Sequence, residues 1–159
     1  MEGPMAFTLF KFLHILAMFM AVAAATIPEV VLHWVGQSGD VRAIRVFSGI
    51  AERVGKALSI LFVGGAILGL LAAATGSLDF FQPWLIAAYI VFVIAMVTGA
   101  TITGPWATRM AAAADASGND APSPDLDLAI HDRRAAIGSI VLMSAIVVMI
   151  FLMVFKPGS

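Results

Sequence analysis

The side chains best able to do chemistry are three histidines and Glu29, and all of them lie in or beside long apolar segments. His14 lies inside the first such segment, one helical turn after Lys11. Ionisable side chains at membrane depth are rare and are functional candidates by default. We therefore expect His14, with Lys11, to bind a ligand or relay a proton. The structural alternative is a neutral imidazole that is hydrogen-bonded across the bundle to Thr8 or to a backbone carbonyl.

Glu29 and His33 lie four residues apart, so they share one face at the far end of the same helix. His131 precedes the fourth apolar segment at a similar level. The two histidines could form a bis-histidine haem site, with Arg133 or Arg134 meeting a propionate. The structural alternative is that His131 is hydrated and that Glu29 pairs with a cation. The candidate cations for that pair are Arg42, Arg45, Arg53 and Arg133.

His14 also belongs to a candidate metal set with three methionines. Met18 follows it by one turn, and Met149 and Met153 reach the matching depth on the fourth segment, which runs in the opposite direction. Histidine and thioether ligands suit haem iron or Cu(I). The alternative is that these methionines are flexible fillers, as expected for the nine in so apolar a chain.

Several functional classes find no support in the sequence. The chain has no cysteine, so it can form neither a disulfide nor a thiolate metal site. The motifs GxSxG, HExxH and the P-loop are absent from it. A net charge of −1 without a dense basic patch gives no indication of nucleic-acid binding.

Four apolar segments must position these residues. Hydrophobic residues make up 61% of the 159 residues and charged residues 12%, which is typical of an integral membrane protein. We expect membrane spans at about 7–33, 57–78, 84–103 and 135–155, in a single domain that covers residues 1–159. Within the first span, Lys11 to Glu29 would cover roughly 27 Å as a helix, close to the thickness of a hydrocarbon core.

Two longer loops, 36–56 and 104–134, separate the spans on one side. Asp40 is the predicted N-cap of an amphipathic helix in the first loop, which continues into the second span. In the second loop, residues 111–124 are rich in alanine and then in turn-forming residues, which indicates a solvated loop. Ser123 is the predicted N-cap of a helix that runs on into the fourth span.

The distribution of cations predicts the orientation. Seven of the nine lysines and arginines lie in the two longer loops, whereas Lys11 and Lys156 lie on the other side. By the positive-inside rule, both loops are cytoplasmic and both termini lie outside. The fold class is therefore all-α, a transmembrane four-helix up-down bundle with an amphipathic helix in the first cytoplasmic loop.

Small residues fill the second span. Gly65 and Gly69 form a GxxxG step, which lets a neighbouring helix approach closely. We expect these two glycines to serve helix packing, either within the chain or against a partner.

Four short motifs, spread in order over nearly the whole chain, carry a family resemblance. These are Lys11–Ala17 (KFLHILA), Gln82–Trp84 (QPW), Gly99–Pro105 (GATITGP) and Met153–Gly158 (MVFKPG). Together they resemble a bacterial four-helix family of predicted integral membrane proteins, domain of unknown function 2269. The chain departs from that family at Met20–Ala25, where the family often has a Trp-x-Gly-Gly step.

The Lys-x-x-His opening is also similar, more loosely, to HemJ-type protoporphyrinogen oxidases and to CopD-type copper-resistance membrane domains. In the HemJ type a first-helix histidine is associated with haem binding, and Lys11 and His14 are the positions that match. This resemblance implies haem b as a cofactor and, if the protein is an enzyme, an oxidoreductase.

The function predicted with the fewest assumptions is a non-catalytic accessory or assembly subunit of a membrane complex. The alternative is a haem- or porphyrin-linked redox protein, and a copper-related membrane protein is a distant third. The expected partners are the lipid bilayer and either a second copy or another membrane subunit, without nucleic acid. The expected location is the bacterial cytoplasmic (inner) membrane.

Overall fold

The computed structural model describes the backbone of residues 3–158, and the side chains of residues 5–26, 29–55 and 57–158. Over this range the protein is all-α, as predicted. The helices are α1 (Gly3–Ser38), α2 (Val41–Thr75), α3 (Pro83–Thr98), α4 (Gly104–Ala116), α5 (Pro124–Ile130) and α6 (Arg133–Phe155), and a π-helical turn, Gly99–Thr103, joins α3 to α4. Four segments of the described chain are long and apolar enough to cross a membrane, which fits a four-helix transmembrane bundle.

The first connection is shorter than the expected loop. α1 continues to Ser38, and Gly39 makes the turn with a φ of +69°, a backbone conformation that glycine adopts without strain. The Asp40 carboxylate then accepts hydrogen bonds from the backbone N–H groups of Arg42 and Ala43, which confirms the predicted N-cap. α2 is one continuous helix of 35 residues, so the amphipathic segment and the second span are one element.

The π-helical turn between α3 and α4 lies directly before Pro105. Proline has no N–H to donate to the carbonyl four residues earlier, and its ring crowds that carbonyl. The chain accommodates it by widening one turn, in which the N–H of Gly104 donates to the carbonyl of Gly99, five residues back. The long helix therefore continues through the proline instead of ending there.

The solvated loop expected over 111–124 begins later than predicted. α4 extends to Ala116, and both Ala111 and Ala114 are buried. Alanine is the strongest helix former, and here it also fits beneath neighbouring helices, so the alanine run is a packed helix. The prediction of a loop over 111–116 was wrong.

A break between α5 and α6 divides the helix that was predicted to be continuous. Ser123 caps α5 by accepting the N–H of Leu126, as predicted. That helix ends at Ile130, and Asp132 then caps α6 by accepting the N–H groups of Arg134 and Ala135. The sequence analysis did not identify Asp132 as a second cap.

Within the spans the helices pack as two antiparallel pairs, α1 with α2 and α3 with α6. α3 and α6 meet closely where Gly138 lies under the π-helical turn, since a Cβ on Gly138 would come within 2.8 Å of Ile102. At the far end of this pair the Lys156 ammonium lies 5.6 Å from the centre of the Trp84 ring. The two pairs are joined mainly where α2 meets α4.

We call this junction the loop end; its core contains the buried Leu32, Val41, Ile44, Trp106, Met110, Ala114, Leu126, Ala129 and Ala135. Trp106 is its largest fully buried side chain and donates its indole N–H to the Ala129 carbonyl at 2.8 Å. At the edge of this core, Arg45 joins α2 to α4 by donating hydrogen bonds to the carbonyls of Ala114 and Ser117 at the C-terminus of α4. Five helices thus depend on one small core.

Replacement of Trp106 by phenylalanine should destabilise the protein by about 2 kcal/mol, because it removes the indole donor from the buried Ala129 carbonyl and leaves a void. That carbonyl would keep only the longer hydrogen bond of 3.4 Å from the backbone N–H of Asp132. The matched control is Trp34→Phe, at a tryptophan that is 77% exposed, which should change stability by less than about 0.5 kcal/mol. Unfolding by denaturant in detergent micelles measures both. Equal effects would contradict the role given to Trp106.

Candidate functional site

His14 faces α2 rather than an open site. Its Nδ1 lies 2.7 Å from the carbonyl oxygen of Gly65. Because a carbonyl can only accept, Nδ1 carries a proton and donates it to this contact. The structure therefore contains the contact to a backbone carbonyl that was the structural alternative for His14. Lys11 is exposed, and its ammonium lies 5.6 Å from the centre of the Phe7 ring.

Gly65 and Gly69 are positions at which α1 approaches α2 closely. A Cβ on Gly65 would lie 2.7 Å from the Met18 sulfur, and one on Gly69 would lie 2.9 Å from Nδ1 and Cε1 of His14. The GxxxG step thus accommodates two of the candidate metal-binding side chains within the chain itself.

The structure distributes the four candidate metal ligands over both helix pairs. His14 and Met18 contact α2, whereas Met149 and Met153 belong to α6, which packs chiefly on α3. The described residues contain no group of three or more His, Asp or Glu side chains suited to a metal ion.

Glu29 lies between α1 and α6 near the loop end. Its carboxylate accepts a hydrogen bond of 2.5 Å from the Ser139 hydroxyl, which also contacts the Ala135 carbonyl at 3.0 Å. Among the described side chains no arginine forms an ion pair with Glu29, and Arg45 is instead bound to α4 and Asp115. The alternative in which Glu29 pairs with an arginine is therefore not the arrangement among the described side chains, where Ser139 is its partner.

The two histidines of the predicted haem site lie in different surroundings. His33 stacks on Trp106 with ring centres 4.5 Å apart, and its Nδ1 lies 3.2 Å from the Glu29 carbonyl oxygen. The His131 side chain is 73% exposed, and its Nδ1 lies 3.0 Å from the Asp127 carbonyl oxygen. Each ring is thus bonded within its own helical segment. Arg133 and Arg134 are exposed.

Glu29 and His33 share an open groove of about 240 Å³ between α1 and α6. Its lining residues are Glu29, Val30, His33, Trp34, Gln37, Ser139 and Met143. The structure thus brings together two of the predicted site residues, whereas His131, Arg133 and Arg134 are not among the lining residues described. Sequence reasoning missed Ser139, because a serine in an apolar helix ordinarily bonds to its own preceding turn.

A second groove, of about 440 Å³, lies between α4 and α5 and includes Arg109 and Asp132. Asp132 precedes the apolar part of α6, and the Arg109 guanidinium lies 2.8 Å from its carboxylate. Burial raises the pKa of Asp132, but the N–H groups of Ala135 and Arg134 and the Arg109 guanidinium outweigh it and hold that pKa below its usual value. This cluster stabilises the start of α6.

Residues 8–157 match the model of a family described as predicted integral membrane protein (DUF2269). No curated protein and no solved structure matches the chain.

Gly69→Ala should destabilise the protein by about 1–3 kcal/mol, because the new Cβ would displace the His14 ring and lengthen its hydrogen bond to Gly65. Gly64→Ala is the matched control, since a Cβ there meets nothing within 4 Å. That control should be neutral or slightly stabilising, because alanine favours helix. Thermal unfolding in detergent compares the two, and a Gly69→Ala variant as stable as Gly64→Ala would contradict the close α1–α2 packing.

Proposed function

Because the chain belongs to this family of predicted integral membrane proteins, we propose that it is a non-catalytic accessory or assembly subunit of a complex in the bacterial cytoplasmic membrane. The observation that supports this proposal most is that the polar side chains of the first span form hydrogen bonds within the protein. His14, Glu29 and His33 lie within the first span, and each makes a hydrogen bond inside the protein. Side chains that are bound in this way stabilise a scaffold.

The motifs that carry the family resemblance also lie where helices contact one another or change direction. The first motif supplies His14, which bonds to α2, and the third forms the π-helical turn. The second and fourth motifs lie together, because Lys156 lies over the Trp84 ring and a Cβ on Gly158 would lie 3.3 Å from Pro83. This placement favours a role of the motifs in holding a shape that another protein recognises.

The helix pairs leave apolar faces for a partner. Ile60 on α2 is 74% exposed and Val147 on α6 is 67% exposed. Lipid alone can cover such faces, and so can a second copy or another membrane subunit, through close van der Waals packing. Partner contact through these faces is the mechanism that we propose for assembly.

The alternative proposal, a haem- or porphyrin-linked redox protein, rests on His33. Its Nδ1 is hydrogen-bonded to the Glu29 carbonyl, so Nε2 is the ring nitrogen that would have to bind the haem iron. A copper-related function would have to use His14 with Met18, and these pack against Gly65 and Gly69. The contacts of His14 and Met18 therefore favour the accessory role over copper binding.

Photo-crosslinking in intact membranes tests the accessory role. A photoreactive residue at Ile60 or Val147 should yield one protein adduct of defined mass, because a specific partner covers a fixed face. Phe81, in the turn before α3 and 80% exposed, is the control position and should give no such adduct. Adducts with lipid alone at both helix positions, together with a monomeric mass in mild detergent, would contradict the proposal.

A further inference from the structure

The groove between α1 and α6 contains a carboxylate whose hydrogen-bonding capacity is only partly used. Glu29 is the one carboxylate among its described lining residues, and no described lysine or arginine lines the groove. The Ser139 hydroxyl occupies Oε1 of Glu29, while the carboxylate as a whole has about four acceptor positions. In its ionised form this carboxylate needs a positively charged partner in addition to the Ser139 hydroxyl, and a cationic guest would supply one.

Three side chains of the groove offer hydrogen-bond acceptors, beside the donors of the Trp34 indole and the Gln37 amide. His33 donates its Nδ1 proton to the Glu29 carbonyl, so Nε2 is the acceptor atom in the uncharged form of the ring. Gln37 adds a side-chain carbonyl, and Glu29 adds its remaining carboxylate lone pairs. A primary ammonium offers three N–H donors, which matches three acceptors, whereas a quaternary ammonium offers none.

The size and the lining of the groove indicate which kind of molecule the ammonium group belongs to. At about 240 Å³ it is smaller than the cavities of 300–1,000 Å³ that typically hold drug-sized ligands, so it fits a head group rather than a macrocycle. Val30 and Trp34 on its rim are 54% and 77% exposed. A tryptophan in this position is typical of the boundary between hydrocarbon and head groups. The guest would therefore have an acyl chain.

We propose that this groove binds the ethanolamine head group of an aminophospholipid, with the primary ammonium against Glu29, His33 and Gln37 and the acyl chains along Val30 and Met143. The source of the ammonium is the bilayer, because the groove opens at the side of the α1–α6 contact and not into an enclosed chamber. The bound lipid would fill the gap between the two helix pairs on this side. This proposal stands independently of the accessory role.

Native mass spectrometry of the full-length, delipidated protein tests it, with phosphatidylethanolamine and phosphatidylcholine of the same acyl chains titrated separately. The protein should bind phosphatidylethanolamine at least about tenfold more tightly, because its ammonium donates hydrogen bonds to the groove that a choline head group cannot make. Glu29→Gln should abolish this preference while keeping a partner for Ser139. Asp120→Asn, which removes a carboxylate from the exposed loop after α4, should retain it.

A second variant keeps the test decisive if Glu29→Gln does not fold. Gln37→Leu changes an exposed residue of α1 and removes one acceptor, so it should reduce the preference severalfold in a folded protein. Equal affinity for the two lipids in the unmodified protein would overturn the proposal, as would a preference that survives both substitutions. Full displacement of the lipid by soluble ethanolamine would assign the site to a free amine and overturn the lipid assignment.

Discussion

A polar group inside a membrane protein must find its partner within the chain, and the burial of Trp106 shows how this requirement organises the structure. Its indole N–H donates a hydrogen bond to the Ala129 carbonyl, and its ring stacks against the ring of His33. To make both contacts, α4 must continue past the π-helical turn, α5 must end near Ile130, and α1 must present His33 toward the loop end.

The polar residues of the spans follow the same rule. His14 satisfies its ring proton on α2, and Glu29 accepts from Ser139 on α6. These contacts fix the rotation of α1 about its own axis, since the two side chains bond to different neighbouring helices. Residues that would suggest a cofactor in a water-soluble protein thus act here as connections between helices. Glu29 has acceptor capacity beyond this role, because Ser139 donates a single proton to it.

The sequence predicted the elements that depend on composition and local chemistry. Four apolar segments and the caps Asp40 and Ser123 follow from hydropathy and from side chains that bond to nearby N–H groups. It did not predict the helical alanine run or the break at Asp132, because both depend on packing at the loop end. Nor could spacing alone identify Ser139 as the partner of Glu29, since 110 residues separate them and helix rotation decides the contact.

An absorption spectrum of the detergent-purified protein, reduced minus oxidised, with haem supplied during expression, tests most directly whether the histidines are structural. We expect no haem band and no stoichiometric iron, and we expect His14→Ala to lower stability through the loss of the contact to Gly65. A stoichiometric haem band that disappears in His14→Ala or His33→Ala would show that a histidine binds haem and would establish the redox alternative.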